Sequence, residues 1–241
     1  MALTAKQLRA LDPWPESLVT AINSGTASAD GVEEYLREVS ALPGLQSPLL
    51  GFLSAQKSRL LLRDGQAEEA FAHAEQALAH DNGSPANWLV KGEALSSLER
   101  YDEASDSFES AFSTRKRHGS KAKDYLPMIL KSWSGCALLQ GLSGIINQDL
   151  NIAQNGVHEY LRVLGEAKSE GLEDAVMVPL SAASKTTAPP ELNAALDELA
   201  LMVKLLSIKD PFEGWREFSK EISKVWPKGL SAVNAIREQR E

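Results

Sequence analysis

Cysteine is almost missing from this chain of 241 residues, and the single thiol, Cys136, excludes both an intrachain disulfide framework and a zinc cluster built on thiolates. Aromatic residues make up only 6% and β-branched runs are scarce, which favours helix over sheet as the way apolar surface is buried. The longest apolar runs, such as Leu60-Leu61-Leu62, fall far short of a membrane span. No apolar stretch of the kind a secretory signal requires follows Met1, and with one thiol this predicts a cytoplasmic location. Bases are in deficit, 25 against 33 acids, so the charge of −8 opposes general adhesion to DNA, RNA or anionic lipid. What is abundant is apolar and helix-forming: 43% of residues, enough for an ordinary core in one large domain or two small ones.

Catalytic patterns are equally sparse. His73, His80, His118 and His158 are scattered, without the spacing that places two imidazoles on one helical face around a metal. Asp149-Leu150-Asn151 opens like a calcium loop, but Ala153 stands where the next oxygen ligand is needed. Gly141-Leu142-Ser143-Gly144 lacks the spacing of a nucleophile elbow, and no phosphate-binding loop occurs. No catalytic residue, metal site or cofactor is therefore predicted.

A helix opening near Asp30 is predicted through Val32, Tyr35, Leu36 and Val39. From Pro48 onward four connected helices follow, over roughly 49–63, 66–79, 85–98 and 101–113, parted by turns at Asp64-Gly65, Asp81 to Pro85 and Glu99-Arg100. A shift of 34 residues lays the second pair on the first: Leu61 on Leu95, Ala70 on Ala104, Ala77 on Ala111 and Ser58 on Gly92. The recurrent small residues fit a close helix crossing, where a larger side chain would push the backbones apart.

In residues 85–118, Trp88, Gly92, Leu95, Tyr101, Ala104, Phe108 and Ala111 carry a spacing that resembles the tetratricopeptide repeat family. Residues 51–84 follow it more loosely, with Ser54, Ser58, Ala67 and Ala74 at positions where the family has larger residues or glycine. The resemblance implies an all-α, right-handed solenoid of antiparallel helix hairpins with additional C-terminal helices. Around the two motifs the expected organisation is residues 1–48 as N-terminal helices, a possible degenerate repeat, and 119–183 as a longer hairpin plus a short helix. A linker over 184–190 and a C-terminal helical segment over 191–241 complete it, the latter either a cap or a partner-binding tail. Within 119–183, Tyr125, Met128, Ile129, Trp133, Cys136 and Ala137 are expected on one buried stripe ending before Gln140, facing Ile146, Leu150, Ala153, Val157, Leu161 and Leu164.

In the family the first helix of each pair lines a concave groove that takes up a protein or peptide segment. Carried onto the matched positions, the groove residues are Phe52, Gln56, Arg59 and Arg63 from one repeat and Leu89, Val90, Glu93 and Ser96 from the next. Ala55 and Ala86 stand where a carboxylate-gripping groove would need polar groups, so that mode is not expected. Residues 64–112 carry a local charge of −9, and the basic stretch 115–123 that follows is read as a solvated loop between helices. The function implied is an adaptor or scaffold for a protein partner. A chaperone or regulator using the C-terminal helices is the alternative, and an enzyme of unrecognised type the third reading. Membrane is excluded as a partner, nucleic acid is disfavoured, and oligomeric state stays open.

Overall fold

A computed structural model describes residues 27–40, 47–118, 125–177 and 190–207. Among the described residues every regular element is helical: α1 (Ala29–Ser40), α2 (Ser47–Arg63), α3 (Ala67–His80), α4 (Pro85–Ser97), α5 (Tyr101–His118), α6 (Leu126–Ile146), α7 (Leu150–Glu170), a 3-10 turn at Glu173–Ala175, and α8 (Pro190–Leu206). Local chemistry sets the boundaries. The Gly31 amide donates to Ser28 Oγ at 3.1 Å, so Ser28 caps α1 and Asp30 lies in its first turn, where a negative charge suits the positive end of the helix. Asp149 caps α7 by accepting from the Asn151 and Ile152 amides at 3.0 and 3.1 Å. Gly171 ends that helix with φ of +69°, a conformation glycine adopts without penalty.

Three antiparallel hairpins, α2/α3, α4/α5 and α6/α7, stack in chain order, with α1 against α2 at one end and α8 against α6 and α7 at the other. The first helices of the hairpins, α2, α4 and α6, touch one another directly and form an inner row. The second helices form an outer row, where α5 and α7 meet through long side chains such as Arg162 to Glu109 and Arg115 to Glu170. The architecture is an all-α solenoid. Its main core gathers Leu89, Leu95, Phe108, Ile129, Leu130, Trp133 and Val163, and a second cluster joins Val32 and Leu36 of α1 to Leu53, Leu60 and Leu61 of α2.

Each hairpin is closed by small residues, in a different way each time. At Gly92 a Cβ would come within 2.6 Å of the Phe108 ring, so glycine makes room for the aromatic. Ser58, in place of that glycine, is fully buried and donates Oγ to the Ala70 carbonyl at 2.7 Å, so its hydroxyl is satisfied inside the crossing. In α6/α7 backbone meets backbone: a Cβ on Gly144 would lie 2.2 Å from the Ala153 nitrogen, and one on Gly156 2.3 Å from the Gly141 nitrogen.

Three expectations are corrected. Helix α5 continues to His118, and Thr114 and Arg115 are buried, with Arg115 Nη1 donating to Glu170 at 3.5 Å. The start of the basic stretch is thus helix tied to α7, which extends alongside for 21 residues, and not a solvated loop. Helix α6 runs past Gln140, whose buried amide donates to Asp102 at 2.9 Å. Its expected stripe is also partly wrong, since Met128, Ile146 and Leu150 are 44%, 58% and 63% exposed while Gly156, Tyr160, Val163 and Ala167 are buried. The physical reason is that the closest approach to α6 falls on Ala153 and Gly156, which fixes the buried face of α7 as the one that also carries Val157, Tyr160, Val163 and Ala167. The part of the expected N-terminal helices before residue 27, residues 119–124, the linker before Pro190 and the tail beyond Ser207 lie outside the described residues.

Candidate partner-binding groove

Helix α6 has 21 residues and one charge, Lys131. A helix apolar on all sides needs cover on all sides. One side supplies core residues Ile129, Leu130, Trp133 and Ala137. The other bears Met128, Lys131, Ser132, Gly135 and Leu139 at helical spacing and faces Glu93, Ser96 and Ser97 of α4 across a groove of about 470 Å³. Phe108 and Cys136 contribute to the floor of the groove.

Its far wall is Met177. After Gly171 the chain makes the 3-10 turn, buries Val176 in the main core and anchors the Met177 amide on Ser134 Oγ at 2.9 Å. A Cβ on Gly135 would lie 2.9 Å from Met177 Sδ, so the glycine lets the thioether lie against α6. Leu139 and Met177 are 50% and 45% exposed, which with Met128 gives the groove three accessible apolar side chains.

A polar chain crosses the inner row. Glu93 on α4 accepts from Ser132 Oγ on α6 at 2.9 Å and faces Arg59 Nε on α2 at 3.9 Å. Arg59 Nη2 is buried without a hydrogen-bond partner in the described structure. Arg59 and Glu93 occupy the same position of adjacent repeats, 34 residues apart, so opposite charges there link neighbouring inner helices.

The eight expected groove residues separate accordingly. Glu93 and Ser96 line the groove, and Arg59 adjoins it through Glu93. Leu89 and Val90 are fully buried in two core clusters, so they are corrected from groove contacts to core: α6 and the preceding hairpin close over that side of α4. Gln56 is buried, and Phe52 packs on the cluster around α1 and α2. Arg63 turns away, bonding Asp64 at 3.1 Å and the Ala27 carbonyl at 3.3 Å. Lining by Met128, Lys131, Leu139 and Met177 was missed.

Titratable groups near the groove serve packing. Burial pushes the Cys136 thiol up to about 11, which keeps it protonated and unreactive at neutral pH. On the opposite side of α6, Trp133 Nε1 donates to Glu159 at 2.7 Å and to Ser105 Oγ at 2.9 Å, while Arg162 lies 4.7 Å from the Trp133 ring. Burial works against the charged form of Glu159, but hydrogen bonds from Arg162, Ser105 and Trp133 outweigh it and hold the carboxyl below its usual range. Among the described residues no cluster of His, Cys, Asp and Glu has the geometry to hold a metal.

The two repeat hairpins, with their alanine-closed crossings and acidic first turns, suit comparison with known repeat families, and residues 61–115 match the tetratricopeptide repeat model. This segment is a tetratricopeptide repeat region. No curated protein and no solved structure matches the chain. Tetratricopeptide repeats generally mediate protein–protein interactions, and the matched residues run from the last turn of α2 through α3 and α4 into α5, so α4 forms the repeat-derived wall of the groove while α6 lies beyond the match. Among the described residues no helix is long and apolar enough to cross a membrane.

Proposed function

We propose that this protein is a scaffold or adaptor that holds a segment of a protein partner in the groove between α4 and α6. The observation that carries this reading is the exposed apolar strip formed by Met128 and Leu139 of α6, a helix that needs cover on every side, together with Met177 laid against it. Such a strip supplies affinity through desolvation, while Glu93, Ser96 and Ser132 beside it supply orientation. The activity is recognition without chemistry, in keeping with a thiol and carboxylates that are occupied in packing.

The two methionines favour a second reading, a holder of varied clients, because unbranched thioethers repack around different side chains. Affinity capture from native lysate distinguishes the two. The full chain is compared with a Met128→Ser, Leu139→Ser double variant, the circular dichroism of both being recorded first. A single partner retained in fixed proportion by the wild type and lost by the folded variant supports the adaptor; many partners lost together support the holder. Identical retention by both proteins places the contact elsewhere and overturns the groove.

A further inference from the structure

Acidic residues are concentrated on the outer row of helices. The inner helices carry five bases, three on α2 and one each on α4 and α6, against one acid, Glu93. The outer helix α3 carries three acids, Glu68, Glu69 and Glu75, and the first half of α5 four more. Several inner bases are consumed by neighbours. Lys57 bonds Glu33 at 2.5 Å, and Lys91, at the same repeat position, reaches Glu75 at 3.3 Å. Glu93 is balanced by Arg59 and hydrogen-bonded by Ser132. Lys131 is different: exposed, with no ion-pair partner among the described residues, and centred between Met128 and Leu139 on the groove wall.

From this juxtaposition we infer that the groove selects an acidic amphipathic segment, whose apolar side chains cover Met128, Leu139 and Met177 while an aspartate or glutamate beside them meets Lys131. The inference rests on the groove being the binding site and adds the chemical class of the occupant. An ammonium at the edge of an apolar strip is partly shielded from water once a segment covers the strip, so its attraction for a carboxylate grows on binding. A basic segment at the same place would bury like charges together. The whole molecule pulls the other way: its charge of −8 attracts basic peptides at long range, so a preference for acidic ones has to originate locally.

The test uses a random peptide library displayed on phage and panned against the full chain, followed by fluorescence anisotropy of the most enriched peptide and of its copy with every Asp and Glu changed to Lys. The expected result is enrichment of Asp and Glu next to Leu, Ile, Met or Phe, and an affinity for the original about tenfold above that of the lysine copy. Lys131→Glu should abolish or reverse that preference, and Lys131→Ala should reduce it, both variants keeping the circular dichroism of the wild type. The difference should shrink as salt rises. Peptides that lose binding with Leu139→Glu yet carry no acidic enrichment, or whose charge preference survives Lys131→Glu, overturn the inference and leave the groove standing. Binding untouched by Leu139→Glu, or no enrichment at all, overturns the groove and the inference with it.

Discussion

The α4/α5 and α6/α7 hairpins both cross on a glycine, yet they tolerate change differently. In α4/α5 the space at Gly92 is filled by the Phe108 ring, a side chain that can shift by rotation. In α6/α7 the neighbours of Gly144 and Gly156 are backbone atoms of the facing helix, which move only if the helices part. The repeat hairpin is therefore a side-chain fit and the longer hairpin a backbone fit. The close approach also fixes the rotation of α6: with Gly141 and Gly144 set against α7, Met128 and Leu139 are left on the side that faces α4.

Substitutions sharpen the contrast. Gly156→Ala should destabilise by about 3 kcal/mol or more, the overpacking cost exceeding the roughly 1 kcal/mol that alanine gains in helix propensity. Gly92→Ala should cost about 1–2 kcal/mol, because the Phe108 ring can yield. Chemical denaturation of both variants checks the order, and equal losses would erase the distinction. At the α5–α7 contact, Glu159→Gln should cost about 1 kcal/mol. Since the folded carboxyl of Glu159 titrates below its unfolded value, its contribution is fully present above the ordinary glutamate range and is lost as pH falls through that range and the lowered one of the folded carboxyl. Chemical denaturation followed by circular dichroism at a series of acid pH values should show a loss of stability in the wild type that the glutamine variant lacks. Smallest and opposite in sign is Gly165→Ala on α7, where a Cβ would meet nothing within 4 Å; it should stabilise by about 0.5–1 kcal/mol, seen as a raised Tm.

The repeat helices were legible in the sequence because their boundaries are local. Gly65, the Ser84-Pro85 start and the Glu99-Arg100 step end or begin helices wherever they fall, and the 34-residue self-match aligns Ala70 with Ala104 on the same crossing. The groove was only half legible. Glu93 and Ser96 follow from repeat position, but periodicity cannot choose the covered side of α6, whose apolar residues go all the way round. A usable signal was the lone Lys131 in 21 residues, since a charge marks the side left to solvent. Another was the opposite charge of Arg59 and Glu93 at equivalent positions, which points to a pair between repeats. Met177 and Arg115 had no local signal. Both are placed by distant partners, Ser134 for Met177 and Glu170 for Arg115.

Photocrosslinking from defined positions tests the central claim most directly. A photoreactive phenylalanine analogue is placed at Leu139 in the groove and, separately, at the exposed Glu68 on the outer helix α3, and each protein is irradiated in native lysate. The account predicts a discrete crosslinked partner from position 139 and none of that mass from position 68. The same partner from position 68 with nothing from position 139 would contradict it, moving recognition from the groove to the outer row.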